Sequence, residues 1–186
     1  MKYKYGILAF FMVMVLAQLF VPAKMIWDRE DIIKTGKLYK FKTRPVDPND
    51  PFRGKYITLN YDANTYEVTD FSEWQRNEEV YVEFDTDKYG FAKIKSVYKE
   101  KPTDIDVYLK TKVNYISTYN KLTFDYPFDR YYMEESKAYE AEKTYAEVQR
   151  DTTKTTYALV HIKKGGAVLT DVLINEVSIR EIVKKK

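Results

Sequence analysis

Asp47-Pro-Asn-Asp-Pro-Phe-Arg-Gly-Lys-Tyr-Ile-Thr-Leu-Asn-Tyr61 sets two Asp-Pro steps and an Arg-Gly pair directly before an alternating run. Tyr56, Thr58 and Asn60 fall in one phase, and Ile57, Leu59 and Tyr61 in the other. Such alternation is the mark of a strand with one face buried. Before it, Asp47 and Asp50 can each accept a backbone N–H two residues on, and proline fixes φ after each. Gly54 admits backbone angles that other residues resist. The stretch therefore reads as a rigid, self-capped loop handing over to a strand from Lys55 to Tyr61. Arg53 is expected to pair with Asp47 or Asp50. A functional use of the same residues would be a binding edge made of Arg53, Tyr56 and the loop. Calcium is a poor fit, because the spacing and closing glutamate of a calcium loop are missing.

The same period continues on both sides. Upstream, Lys37-Leu-Tyr-Lys-Phe-Lys-Thr43 alternates. Downstream, Glu79 to Asp85 and Phe91 to Tyr98 flank Asp87-Lys-Tyr-Gly90, which reads as a hairpin turn with a glycine for positive φ. Asp70-Phe-Ser-Glu-Trp74 reads as a turn or short helical turn. Strands are expected at Asp106–Ile116 and Lys121–Tyr126. A second hairpin runs from Thr155 to Ile174 about Lys163-Lys-Gly-Gly166, and a last strand from Val177 to Val183. One helix interrupts them, from Asp129 to Arg150, with Ala138, Ala141, Tyr145 and Val148 on one face. Short connections imply antiparallel neighbours. The fold class is mainly β (α+β), a β-rich domain with one amphipathic helix.

The first 27 residues differ. Lys2 and Lys4 precede an uncharged run from Tyr5 to Ala23, interrupted only by Gln18 as a strongly polar residue. About 20 apolar residues span a bilayer as a helix. Tyr3, Tyr5 and Trp27 suit the two interfaces, and lysines ahead of the span favour a cytoplasmic N-terminus. The competing reading is a leader cleaved after Ala23, although the run exceeds a usual signal core. The expected organisation is a transmembrane signal-anchor over 1–27 and an extracytoplasmic domain over 28–186. Within it, lobes 28–127 and 151–186 would be joined by a helix at 129–150.

Removing Lys2, Lys4 and Lys24 from the 31 Lys and Arg leaves 28, equal to the 28 Asp and Glu, all of which lie from Asp28 onward. A formally neutral domain offers no composition-level case for nucleic acid, which needs a basic face. Without cysteine there is no thiol catalysis or disulfide. One histidine, His161, makes neither a usual zinc site nor a supported triad. No phosphate-cradling glycine loop is present. No catalytic residue, metal site or cofactor is assigned. Tyrosine is abundant, at 18 residues. It suits half-buried strands, and Tyr126, Tyr131 and Tyr132 near Arg130 are the candidates for an exposed recognition surface.

Gly54-Lys-Tyr56-Ile-Thr-Leu59-Asn-Tyr61 resembles the signature of the GDYXXLXY family at Gly54, Tyr56, Leu59 and Tyr61, with Lys55 where the family has Asp. Pro45-Val-Asp-Pro48 and Arg53 are also similar. Arg130-Tyr-Tyr-Met-Glu-Glu135 resembles a later family segment in which Arg and two aromatics precede a Pro-Glu-Gly turn, Glu135 matching the acid. The Gly166-Ala-Val-Leu-Thr-Asp171 strand adds to the likeness. The resemblance implies a bacterial membrane-anchored protein of unassigned activity, with a multi-pass membrane protein as its partner. It marks Arg53, Tyr56, Tyr61, Arg130, Tyr131 and Glu135 as the candidate binding set, expected to meet on one edge. The function it suggests is an interaction or accessory module. A cell-envelope hydrolase, or a glycan- or peptide-binding protein, is the rival, and needs a nucleophile–base pair or two carboxylates converging in a cleft.

Overall fold

The computed structural model describes residues 2–44, 56–149 and 154–184. The first helix, α1 (Lys2–Thr35), carries apolar side chains such as Ile7, Phe10, Leu16, Leu19 and Phe20 that nothing covers. A helix that is apolar all round suits a membrane span, a signal sequence or a protein core rather than a water-exposed surface. It is the one helix among the described residues long and apolar enough to cross a membrane. Its 34 residues reach about 50 Å at ~1.5 Å each, well past a ~30 Å hydrocarbon core. The helix therefore does not stop at residue 27. It continues as a charged stalk, with Lys24–Asp28 and Lys34–Glu30 ion pairs of 2.7 Å at i,i+4 spacing.

The stalk ends against the domain. Gly36 N–H donates to the Ile32 carbonyl at 2.8 Å and closes the last turn. A Cβ on Gly36 would lie 2.4 Å from that carbonyl and 3.2 Å from the Ile162 carbonyl, so only glycine admits this approach. Lys163 Nζ donates to Asp31 (2.7 Å) and to Thr35 Oγ1 (2.6 Å), and Ile32 packs over Gly166.

Two five-stranded sheets follow. Their strands are β1 (Lys37–Arg44), β2 (Tyr56–Thr58), β3 (Asn60–Tyr61), β4 (Thr65–Glu67), β5 (Glu79–Thr86), β6 (Ala92–Tyr98), β7 (Tyr108–Ser117), β8 (Lys121–Asp125), β9 (Arg130–Tyr132), β10 (Thr156–Lys163), β11 (Gly166–Ile174) and β12 (Val177–Ser178). One sheet has the order β12-β11-β10-β1-β3 and the other β4-β8-β7-β5-β6, while β2 and β9 form a separate ribbon. The paired strands of all three run antiparallel. β1 lies between β10 and β3, with Lys37 opposite Ile162 and Thr43 opposite Tyr61, so both ends of the domain build one sheet.

The core lies between the sheets and is aromatic. Phe41 is fully buried, with the rings of Phe84 and Phe128 at 5.1 Å, Tyr61 at 5.5 Å and Tyr126 at 5.9 Å. Buried phenols need a hydrogen-bond partner. Tyr39 donates to the Phe84 carbonyl (2.9 Å), Tyr61 to that of Phe128 (2.7 Å) and Tyr126 to that of Ala63. Part of the tyrosine abundance thus serves the core.

Several boundaries depart from the periodicity. The run expected to be one strand to Tyr61 breaks at Leu59, whose N–H donates to the Asp129 carbonyl at 2.7 Å. β2 therefore pairs with β9 while β3 pairs with β1. The helix expected from Asp129 begins later: α2 spans Glu135–Gln149, because Arg130–Tyr132 is held extended by β2. Its Ala138, Ala141, Tyr145 and Val148 are buried, as the spacing requires. The last strand is only β12. It gives way to α3 (Ile179–Lys184), started by Ser178 Oγ accepting Arg180 N–H and held by buried Ile179 and Val183 one turn apart. Both hairpins form as read, with Gly90 at φ 84° and Gly165 at φ 89°.

Candidate functional site

The β2–β9 ribbon joins the two segments that the sequence singles out. Tyr56 lies opposite Tyr132, Ile57 opposite Tyr131 and Thr58 opposite Arg130. Alternate residues of a strand face opposite sides. Ile57 and Tyr131 point inward and are 1% and 3% exposed. Tyr56, Thr58, Arg130 and Tyr132 share the outer side. There the Tyr56 and Tyr132 rings lie 5.4 Å apart, and the Arg130 guanidinium sits 5.0 Å over the Tyr56 ring. That stack is a diagonal cross-strand contact, within reach of a long side chain and an aromatic. Tyr132 first, then Tyr56 and Asp129, favour the charged form of Arg130.

The inner side fixes the ribbon. Tyr131 OH donates to Asp171 Oδ1 at 2.8 Å. The same oxygen accepts Val172 N–H (2.8 Å) and the Ser178 hydroxyl (3.0 Å). The Arg180 guanidinium lies 5.1 Å over the Tyr131 ring. Burial first, then the Asp171 hydrogen bond and charge, push the Tyr131 phenol well up. Tyr131 thereby ties the ribbon to β11, β12 and α3. A Tyr131→Phe variant is expected to lose about 1.5–3 kcal/mol, the usual worth of a hydrogen bond to a charged group. Thermal denaturation measures it. Tyr61, Tyr126 and Tyr131 all have raised phenol pKa values. The unfolded chain ionises near pH 10, before these phenols do in the fold, so stability falls as pH rises above about 10. Tyr131→Phe should show a shallower alkaline loss.

The remaining candidates separate. Tyr61 is 2% exposed, with its hydroxyl used inside the core, and Tyr126 is likewise a core ring rather than a recognition residue. Glu135 opens α2, one turn beyond the ribbon. Arg53, its expected pairing with Asp47 or Asp50, and Gly54 lie outside the described residues. His161 stands in β10 between Leu38 and Val168, away from the ribbon's own pairing. Among the described residues no group of three or more His, Cys, Asp or Glu is placed to hold a metal ion. Sequence reasoning missed Asp171, Ser178 and Arg180 as supports, and gave Tyr132 too little weight. The signal for Tyr132 was its phase: two residues from Arg130, it must share the same face.

The geometry gives an exposed cation lying over the Tyr56 ring and hydrogen-bonded to the Tyr132 side chain, on a braced ribbon. It is suited to recognition. Ser178, the hydroxyl nearest this network, is occupied at both ends, donating to Asp171 and accepting Arg180 N–H. A family model described as GDYXXLXY protein matches residues 18–172, most of the chain, including the second half of α1, the ribbon and Asp171. No curated protein and no solved structure matches it.

Proposed function

The chain belongs to the GDYXXLXY family, and from that premise we propose that it is a membrane-anchored interaction module. α1 is its single span, the N-terminus is cytoplasmic, and the β-rich domain lies outside the cytoplasm. The domain associates with an integral membrane protein through Tyr56, Arg130 and Tyr132. Lysines ahead of the span support this orientation. The observation that carries the reading is the β2–β9 ladder. It turns two separate family-like segments into one outward face, while the residues between them in phase hold the core. A purely structural strand pair has no need of a half-exposed arginine over a half-buried tyrosine beside an exposed one.

The test is recovery of a partner from detergent-solubilised membranes with the full-length protein, followed by mass spectrometry. Arg130→Ala is expected to abolish recovery of a membrane protein that the unaltered chain retains, with no change in melting temperature. Arg130 is exposed and its nearest ion-pair contact is long, so its fold contribution is small. Loss of folding in that variant would make the stack scaffold and remove the reading.

A further inference from the structure

Resting on that reading, we infer that the ribbon face receives a carboxylate side chain, presented by an acidic extracytoplasmic segment of the membrane partner. The first ground is the state of Arg130. Its Cζ sits 5.0 Å from the centre of the Tyr56 ring, a cation–π contact that restrains the side chain. Its N–H rim is hydrogen-bonded to the Tyr132 side chain, and the guanidinium's other donors are the part that a ligand can use. The nearest carboxylate, Asp129, stands 3.9 Å from Nε, too far for a hydrogen bond. Four lysines of the domain are matched at closer range, Lys95 with Glu83 (2.7 Å), Lys110 with Glu79 (2.9 Å), Lys121 with Glu67 (3.1 Å) and Lys137 with Glu134 (2.7 Å), whereas Arg130 shares its long spacing with Lys42, Lys93 and Lys99 at 3.7–3.8 Å. A guanidinium presents a planar fork that matches a carboxylate with two parallel hydrogen bonds. Stacking has already removed much of the side-chain freedom that binding would otherwise cost.

The second ground is the setting. The Tyr56 ring lies under the cation and the Tyr132 ring packs beside Tyr56. Rings that exclude water strengthen an ion pair, as the water-excluding rim does at a binding hot spot. The ribbon beneath is braced by Ile57 and by the Tyr131–Asp171 bond, so the fork does not drift. The third ground is location. Asp171, which anchors Tyr131, pairs with Leu159, and Leu159 pairs with Lys40. At ~3.3 Å per residue, Lys40 is on the order of 15 Å along β1 from the end of α1. The stalk of α1 past Ala23 adds about 18 Å at ~1.5 Å per residue, so a loop of a membrane protein reaches the domain more readily than a lipid headgroup does.

The test uses the full chain in nanodiscs, labelled with 3-fluorotyrosine, its Tyr56 and Tyr132 signals assigned from Tyr56→Phe and Tyr132→Phe. Two capped octapeptides serve as probes, one of alternating glutamate and glycine and one with glutamine in place of glutamate. In phosphatidylcholine discs at low salt, the glutamate peptide should shift both signals and the glutamine peptide should not. Arg130→Gln should abolish the shift and Arg130→Lys should weaken binding at least tenfold, the other tyrosine signals staying in place. Equal shifts from both peptides, or none from either, overturn the inference. So does movement of the two signals by phosphatidylglycerol discs alone, which would assign the face to headgroups. If neither peptide binds while Arg130→Ala still loses the membrane partner, the interaction reading stands and the carboxylate inference falls.

Discussion

Phe41→Ala should cost about 3–5 kcal/mol, the range for deleting a buried phenylalanine side chain. Phe41 has no exposed surface and touches rings from every part of the core: Tyr39 beside it on β1, Phe84 from the opposite sheet, Tyr61 from β3, and Tyr126 and Phe128 from the segment before β9. Five ring contacts cannot collapse at once into the space one ring leaves. Edge-on aromatic pairs also add about 0.5–1.5 kcal/mol each beyond burial. Domains are stable by only about 5–15 kcal/mol, so the variant should be close to unfolding at growth temperature. Urea denaturation of the full-length protein in detergent, followed by near-ultraviolet circular dichroism, measures this. Phe41→Leu should recover much of the loss. A cost below about 1 kcal/mol for Phe41→Ala would mean that the two sheets do not meet through these rings.

Gly36→Val should destabilise the junction between stalk and domain by about 1–3 kcal/mol, the cost of forcing volume into a close-packed site. The clash is with backbone. A Cβ there lies 2.4 Å from the Ile32 carbonyl, and Ile162 closes the other side, so no side-chain rotation relieves it. Either the last turn of α1 opens or β1 shifts in its register with β10. Both outcomes expose the Thr35–Lys37 link, which limited proteolysis of the membrane-bound protein would detect as new cleavage. Gly36→Ala should show most of the effect, because the first side-chain carbon is already too close. Lys163→Ala should cost under about 1 kcal/mol, since its pair with Asp31 is partly exposed. Unchanged stability and cleavage in Gly36→Val would show that the stalk is loosely tethered.

Strand phases were readable from the chain because burial on one sheet face repeats every second residue. Tyr39, Phe41 and Thr43 are buried and alternate with exposed lysines, as the pattern implies. The hairpin at Asp87 was readable because its chemistry is local: Asp87 Oδ1 accepts the N–H of both Tyr89 and Phe91. What failed was non-local. Nothing near Leu59 reveals that its amide goes to Asp129, or that Arg130–Tyr132 must stay extended to pair with β2. The place of β1 beside β10 is equally a long-range matter. Of the site, Tyr56 and Arg130 came from family-like segments, and their meeting is a consequence of that ladder. Tyr61 carried its own warning: it shares the phase of Ile57 and Leu59, the buried side. The supports Asp171, Ser178 and Arg180 were not legible, since a hydroxyl and a carboxylate in separate elements leave no pattern in sequence.

The most direct test of the account places a photoreactive phenylalanine at Tyr132 or at Tyr115 in the full-length protein in living cells. The two positions are almost equally exposed, at 60% and 62%, but Tyr132 is on the ribbon and Tyr115 on β7 of the other sheet. Irradiation should give a discrete adduct with a membrane protein from position 132, lost when Arg130→Ala is added, and none from position 115. Equal adducts from both positions, or an adduct from 115 alone, would contradict the assignment of partner binding to the β2–β9 ribbon.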